Sequence, residues 1–218
     1  MFLNIRTLFI SLLFTGVTFA QQTETETEIE NETAKEQTNL GTKVGSITAG
    51  AYLPIAFGEN FVNDGMDLKM GAQAQLKLNV LGDFYIGPAM SFFFADVTNR
   101  NLVGNYDEMS NLVLGGVIGY EKQLERFDLS IGLGVGYSGY FNKGLGDSFE
   151  DNATALWLRP EVSYKLANYV SIYVAPELRH DFMNIDVPKE LEDTFGGVNY
   201  FNIGFGFRIN LGTGYKFQ

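Results

Sequence analysis

Residues 67 to 80 alternate between apolar and polar or small side chains without a break. The apolar positions are Leu68, Met70, Ala72, Ala74, Leu76, Leu78 and Val80, and between them stand Asp67, Lys69, Gly71, Gln73, Gln75, Lys77 and Asn79. A period of two places these sets on opposite faces of a β-strand, whereas a helix would mix them around its circumference. The segment is therefore predicted to be a strand with one apolar face.

The same alternation recurs along most of the chain. The predicted strands are residues 44–57, 67–80, 84–96, 110–121, 127–141, 154–166, 169–181 and 199–217. It is weakest in 110–121, where Val113 and Val117 stand on the otherwise non-apolar face. These segments are eight in number, and closed antiparallel barrels of the membrane class require an even number of strands.

The connections between these strands alternate in length. Residues 81–83, 122–126 and 167–168 are short, whereas 58–66, 97–109, 142–153 and 182–198 are long and rich in Asn, Asp and Gly. Outer-membrane barrels have short periplasmic turns and longer extracellular loops. The predicted fold is all-β, an eight-stranded antiparallel up-and-down transmembrane β-barrel.

A soluble, lipocalin-like barrel would also alternate, with its apolar face inward. Glycines 132, 134, 136, 204 and 206 are in phase with Asp128 and Arg208, and small residues beside long ones are typical of the crowded interior of an eight-stranded barrel. Apolar-face aromatics cluster near strand ends, as interfacial girdles do. The strands also reach the roughly 9–11 residues needed to cross a bilayer. The apolar face is therefore predicted to face lipid.

The N-terminal residues resemble an export signal. A single early charge, Arg6, precedes the apolar run Leu8–Phe14, and Thr18-Phe19-Ala20 offers small residues before Gln21. This order is that of a secretory signal peptide, here predicted over residues 1–20. Residues 21–42 are rich in Glu and Thr without apolar periodicity, which predicts a disordered acidic linker before a barrel at 43–218.

Composition excludes several kinds of site. The chain has no Cys, so it has neither disulfides nor thiolate metal sites nor cysteine nucleophiles. Its formal net charge of -11 argues against binding nucleic acid, whose phosphates need a basic face. With 45% hydrophobic residues and no apolar run after residue 20 long enough for a spanning helix, an exported chain is either a soluble domain or a barrel.

Residues 43–218 resemble the small outer-membrane β-barrel family typified by OmpX and the OmpA membrane domain. The C-terminal segment Gly212-Thr-Gly-Tyr-Lys-Phe-Gln218 is similar to the signature read by the barrel assembly machinery, with Phe217 or Tyr215 as the recognised aromatic. The resemblance implies location in a Gram-negative outer membrane, insertion by that machinery and a monomeric, porin-like fold. It specifies architecture rather than function, because this fold hosts adhesins, enzymes and structural proteins.

Strand parity directs many charged side chains into the predicted lumen. They are Lys69, Lys77, Glu121, Asp128, Arg159, Glu161, Lys165, Glu177, Arg179, Asp181 and Arg208. Arg159 and Glu161 face Glu177 and Arg179 on the next strand as a possible four-charge ladder, with Arg208 beyond. Buried charges must be paired, so this lumen charge network is predicted to be a structural plug. A gated ion path is the alternative.

No catalytic, metal or cofactor site is predicted. His180 is the only histidine, and Ser110 and Ser148 are the serines nearest to it in depth; related barrels that modify lipid A carry a His and a Ser near this rim. The predicted long loops are acidic, carrying Glu59, Asp64, Asp107, Glu108, Asp147, Glu150, Asp151, Asp186, Glu190, Glu192 and Asp193. The segment 147–151 is the preferred ligand-binding loop.

The resulting functional hypothesis is a structural or surface-interaction barrel. Its four long extracellular loops would contact lipopolysaccharide, surfaces or other envelope proteins. The alternative is a narrow pore or a transport or secretion accessory protein. A lipid-modifying enzyme is the third hypothesis.

Overall fold

The computed structural model describes residues 43–144, 148–183 and 192–214. The strands are β1 Lys43–Leu53, β2 Ala56–Phe57, β3 Met66–Leu81, β4 Phe84–Val97, β5 Tyr106–Gln123, β6 Phe127–Gly144, β7 Ser148–Lys165, β8 Val170–Met183 and β9 Gly197–Gly212. The short helices are α1 Phe61–Gly65, α2 Arg100–Val103 and α3 Glu192–Phe195. No helix in these ranges is long and apolar enough to cross a membrane. The predicted signal peptide, acidic linker and C-terminal aromatics Tyr215 and Phe217 lie outside the described residues.

The strands form one closed antiparallel barrel. β1 pairs with β3, and from β3 to β9 each strand pairs with its successor. β1 also pairs with β9, so Ala49 lies between Ala74 on β3 and Phe207 on β9. The two-residue β2 also pairs with β9 and continues the line of β1 in the barrel wall. The predicted eight-stranded, all-antiparallel up-and-down barrel is confirmed.

The first predicted strand, 44–57, is interrupted. β1 ends at Leu53, and the chain resumes pairing only at Ala56, which lies opposite Tyr200 on β9. Pro54 stands in the gap, and proline has no N–H to donate to a strand ladder. The alternation of apolar residues continues through Pro54, so side-chain pattern alone did not reveal the break.

Strands extend into two of the predicted long loops. β6 and β7 remain paired out to Lys143 and Ser148, so the predicted loop 142–153 is wrong; only residues 145–147 connect the two strands. β5 likewise begins at Tyr106, inside the predicted loop 97–109. Beyond the apolar belt, outward positions such as Glu150 are polar. Backbone pairing therefore continues where the apolar signal of a strand has ended.

The long connections also fold over one end of the barrel. This end, where β4–β5, β6–β7 and β8–β9 connect, is called the loop end, and the opposite end, with connections at 82–83, 124–126 and 166–169, the short-turn end. Phe61 of α1 stacks on Phe195 of α3, with ring centroids 5.5 Å apart. Together with Val62 and the α2 residues Leu102 and Val103, they pack on an apolar cluster of inward barrel residues. These residues form an apolar cap over the mouth.

Glycines open room for large side chains inside the barrel. A Cβ on Gly134 would lie 2.1 Å from the Trp157 ring, and one on Gly204 would lie 1.7 Å from the Gln73 amide. Trp157 and Gln73 are both buried. These close approaches explain why glycine occurs in phase with charged residues on β6 and β9, since a larger residue would displace a neighbour from the crowded interior.

Candidate functional site

The interior is the main concentration of charged side chains in the described part of the chain. Ten of the eleven charged residues that parity directed inward are buried: Lys77, Glu121, Asp128, Arg159, Glu161, Lys165, Glu177, Arg179, Asp181 and Arg208. The exception is Lys69, whose side chain is 50% exposed and contacts Asp96. The predicted inward orientation of Lys69 is therefore wrong.

A β-bulge causes the error at Lys69. Between Lys69 and Ala72, β3 contains one residue more than the facing segment of β4. Such an extra residue reverses the alternation on one side of the bulge. Met66 and Leu68 consequently join the interior apolar cluster. Gly71 lies in the bulge, where a Cβ would fall 1.7 Å from the Phe92 carbonyl oxygen.

The short-turn end of the interior is organised around Arg208 on β9. Its two terminal nitrogens donate to Glu121 on β5 at 2.6 and 2.8 Å. The same guanidinium lies 3.5 Å from Glu161 on β7 and 3.9 Å from Asp128 on β6. Guanidinium groups suit such bidentate contacts because their N–H donors form a planar fork. One side chain thus connects four strands of the barrel.

Two lysines extend this short-turn cluster. Lys77 donates to Glu161 at 2.8 Å and to Ser130 at 2.9 Å, and it lies 3.6 Å from Glu121. Lys165 lies 3.2 Å from Asp128 and donates to the backbone carbonyls of the β5–β6 turn. The cluster therefore joins β3, β5, β6, β7 and β9, and Lys165 anchors it to a turn.

The loop end of the interior contains a second, smaller cluster. Arg179 donates to both carboxylate oxygens of Asp181 at 2.8 Å. Asp181 also accepts from Tyr140 at 2.5 Å and from Ser138 at 2.7 Å. The Arg179 guanidinium lies 4.3 Å from the centre of the Tyr200 ring, a cation–π contact. All these partners are buried beneath the apolar cap.

The structure divides the predicted four-charge ladder between these clusters. Glu177 accepts from Tyr52 at 2.7 Å and from Asn202 at 2.9 Å. Arg159 is 3.9 Å from Glu161 on its own strand. Within the described residues, no ion pair joins Arg159 or Glu161 to Glu177 or Arg179. Glu177 Oε1 accepts from two neutral donors instead, and Glu161 turns toward Lys77 and Arg208.

Little space remains between the two clusters. A cavity of about 10 Å³ is lined by Trp157, Arg159, Glu177, Arg179 and neighbouring residues of β4 and β5. A cavity needs roughly 10–15 Å³ to hold one water molecule. This part of the interior is therefore filled by side chains.

Sequence reasoning missed the tyrosines of the loop-end cluster. Tyr52, Tyr140 and Tyr200 are fully buried, and each donates or accepts a hydrogen bond within that cluster. Parity did carry the signal, because Tyr52 stands opposite the outward set of β1 and Tyr140 precedes the outward Phe141. They were missed because only formally charged residues were assigned to the lumen network.

The residues considered for an enzyme do not assemble. His180 on β8 contacts Asn199 on β9 through Nδ1 at 2.7 Å, and its ring lies against Phe182. Ser110 lies on β5, three strands away. Ser148 is on the adjacent strand, but His180 pairs with Leu156 there. Ser148 and Leu156 are eight positions apart, which corresponds to roughly 26 Å along the strand.

The acidic residues of the long connections do not form a metal site in the described ranges. No group of three His, Asp or Glu side chains there is placed to hold a metal ion. Asp151 and Glu150 of the preferred ligand-binding segment belong to β7 rather than to a loop. Asp147, Asp186 and Glu190, together with the side chains of Glu192 and Asp193, lie outside the described residues.

Comparison with known proteins identifies the fold. No protein-family model matches the chain, and no curated protein matches it significantly. Neisserial surface protein A is 11% identical, with a TM-score of 0.52 over 78% of this chain and 99% of that one. Outer membrane protein OprG from Pseudomonas aeruginosa is 14% identical, with a TM-score of 0.54 over 79% and 98%. The chain has the fold of the small eight-stranded outer-membrane β-barrels, as its sequence indicated.

Proposed function

We propose that this chain is an integral outer-membrane barrel with a structural or surface-interaction role. The observation that carries the proposal is the opposite polarity of the two barrel faces. Charged residues such as Arg208 and Lys77 are buried inside, whereas Ile118, Phe205 and Phe207 are exposed outside. An apolar belt of this extent would be costly in water, and lipid removes that cost.

The distribution of outward aromatics supports insertion in a bilayer. At the short-turn end Phe84 packs on Tyr120 and Phe127 packs on Tyr164, each with ring centroids 5.3 Å apart. At the loop end Phe92 packs on Phe94 with centroids 5.9 Å apart. Aromatic side chains concentrate at both membrane–water interfaces of such barrels. The two groups would form the two interfacial girdles.

Heat-modifiable gel migration tests insertion. Protein folded in detergent or extracted from membranes should migrate faster before boiling than after it, because the closed barrel resists unfolding by the gel detergent. Cell fractionation should recover the chain with the outer membrane. Recovery in the soluble periplasmic fraction would contradict the proposal.

The filled interior supports a structural role over the narrow-pore alternative. Each charge cluster contains its own ion pairs, and the cavity between the clusters is no larger than one water molecule. Planar-bilayer recording separates the hypotheses. We expect no stable single-channel steps from the wild-type protein or from Lys122→Gln, a control at an exposed residue of the short-turn end. Stable steps that change in Arg159→Ala would favour the pore.

The loop end is the proposed contact surface for lipopolysaccharide or envelope proteins. The β6–β7 hairpin extends there, and Phe149 on it is 52% exposed while stacking on Tyr106. Binding of lipopolysaccharide to vesicle-embedded protein should fall in Phe149→Ser and persist in Tyr169→Ser. Tyr169 is a matched control, since it is similarly exposed but lies at the short-turn end. Equal binding of lipopolysaccharide by both variants would show that the β6–β7 hairpin is not part of the contact surface.

A lipid A-modifying activity is the weakest of the three hypotheses, because the sole histidine contacts Asn199 and no serine lies near it in the described residues. Mass spectrometry of lipid A from wild-type and deletion cells tests it. We expect identical spectra, and a missing or added acyl chain would revive the enzyme hypothesis.

A further inference from the structure

A row of four charged residues crosses the outer face of the barrel at its loop end. Asp96 on β4, Glu108 on β5 and Lys143 on β6 lie directly opposite one another on successive strands, and Lys69 on β3, whose partner on β4 is Phe94, reaches Asp96 diagonally. All four point away from the interior, because the residues beside them, Ala95, Met109 and Asn142, are buried. The order of charge along this row is positive, negative, negative, positive, and Asp67 on β3, directly opposite Asp96, adds a third carboxylate beside it.

These four residues border a cleft in the barrel wall. The cleft has a volume of about 250 Å³ and is also lined by Phe94, Ser110 and Phe141. Phe94 and Phe141 provide an apolar floor on the side nearer the barrel middle, since each lies two residues before the charged residue of a strand that runs toward the loop end. The cleft is therefore charged toward the loop end and apolar toward the proposed membrane.

The pairing of charges within the row is incomplete. Lys69 lies 2.5 Å from Asp96. Asp96 and Glu108 are directly opposite each other across the β4–β5 ladder, an arrangement in which like charges repel. Glu108 faces Lys143 in register on β6, but the described ion pairs do not include these two. A bound cation between the two carboxylates would relieve the repulsion and leave Lys143 available to an anion.

We propose that this cleft binds a lipid whose headgroup carries both a phosphate and a primary amine. The ammonium would lie between Asp96 and Glu108, the phosphate would contact Lys143, and the acyl chains would run along Phe94 and Phe141. The inference rests on the proposed membrane insertion, which brings the cleft to the level of lipid headgroups. Both signs of charge in the row match a zwitterion better than a simple anion, which would meet two carboxylates.

Nanodiscs that contain equal amounts of three phospholipids test the inference. Phosphatidylethanolamine carries the phosphate and an N–H donor, phosphatidylcholine carries a phosphate and an amine without N–H, and phosphatidylglycerol carries no amine. The full mature protein would be released into native mass spectrometry, and the lipids retained on it counted. Because an exposed ion pair contributes about 0.2–1 kcal/mol, a factor of roughly 1.4 to 5, we expect preferential retention of phosphatidylethanolamine by up to about fivefold.

Matched variants locate the retained lipid. Glu108→Gln should abolish most of the preference, since it removes a carboxylate that would contact the ammonium. Lys143→Gln should instead lower the retention of all three lipids, since each of them carries a phosphate. Asp83→Asn and Lys122→Gln should keep both the preference and the total retention, because these residues form a comparable exposed ion pair at the short-turn end. All four positions are on the surface, so the barrel should fold in each case.

Two outcomes would overturn the inference, and neither is the same as failed insertion. Retention that follows phosphatidylglycerol, or that is equal for all three lipids, would exclude recognition of the amine. A preference that survives Glu108→Gln, or a total lipid retention that is unchanged in Lys143→Gln, would place the lipid elsewhere. Failure of the proposed insertion would instead appear as protein that does not enter nanodiscs and lacks heat-modifiable migration.

Discussion

At the short-turn end of the barrel interior, buried charges neutralise one another directly, whereas at the loop end a single arginine and a single aspartate are embedded among tyrosines. Arg208 contacts three carboxylates on three other strands. Arg179 pairs with Asp181 on its own strand and otherwise contacts Asn111 and aromatic rings. The Arg208 cluster links strands across the barrel. The Arg179 cluster depends on its surroundings to exclude water.

The difference matters because buried charge is tolerated only when it is compensated. Across both clusters, the buried cations Lys77, Arg159, Lys165, Arg179 and Arg208 balance the buried anions Glu121, Asp128, Glu161, Glu177 and Asp181. The short-turn cluster holds most of the cations. Toward the loop end, Tyr140 donates to Asp181 beside Arg179, and Tyr52 donates to Glu177. We infer that barrel stability is concentrated at the short-turn end.

The largest expected effect comes from removing the central guanidinium of the short-turn cluster. Arg208→Met leaves Glu121 without its bidentate partner and deprives Glu161 and Asp128 of a nearby cation. Breaking a buried ion pair typically costs about 3–5 kcal/mol. Urea unfolding in lipid vesicles should show a loss of this size. The exposed control Lys122→Met should change unfolding by no more than about 0.5 kcal/mol.

The equivalent change at the loop end should cost less. Arg179→Met removes the partner of Asp181, but Tyr140 and Ser138 continue to donate to that carboxylate. We expect a loss of about 3 kcal/mol, at the lower limit for a broken buried pair. The same unfolding measurement compares it with Arg208→Met. A loss equal to or larger than that of the Arg208 variant would contradict the assignment of most stability to the short-turn end.

Crowding at the middle of the barrel gives the next smaller effect. Gly134→Ala would place a Cβ 2.1 Å from the Trp157 ring, and such overpacking costs typically 1–3 kcal/mol. Gly116→Ala is the matched control, since its Cβ meets no atom within 4 Å. Its unfolding free energy should stay unchanged or rise slightly. If the two variants are equally stable, the glycines of β6 are not explained by side-chain crowding.

The sequence predicted the barrel and most of its interior because a strand has a strict period of two. That regularity was sufficient to place Arg208 and Glu121 inside without any knowledge of the register. It failed at Lys69, where one extra residue reversed the faces, and the only local sign was a glycine in an otherwise regular strand. A bulge is a matter of backbone pairing, so side-chain alternation carries little trace of it.

The apolar cap was unpredictable for a different reason. Its residues come from three separate connections, and each connection is too short and too polar to show a helical period. Phe61 and Val62 are apolar neighbours in a segment otherwise typical of a surface loop. Only the closed barrel brings them over one opening, together with Phe195. Hydrogen-bond partners such as Tyr140 and Asp181 are likewise determined by which strands face each other across the lumen.

The smallest expected effect concerns the helix that begins the cap. Asn60 is buried and accepts a hydrogen bond from the Asn63 backbone N–H at 2.9 Å, which caps α1, while its amide donates to the Phe57 carbonyl. Loss of such a cap costs about 1 kcal/mol. Because α1 closes the mouth without joining the strand ladder, Asn60→Ala should loosen the cap and leave barrel unfolding nearly unchanged.

Hydrogen exchange distinguishes the local effect from a global one. In Asn60→Ala, amides of residues 61–65 should exchange about fivefold faster, the rate change that corresponds to about 1 kcal/mol. Amides near Arg208 should exchange as in the wild type. Asn60→Asp keeps the capping oxygen and loses only the amide donor, so it should recover part of the protection. Faster exchange at both ends of the barrel would mean that the cap and the short-turn cluster unfold as one cooperative unit.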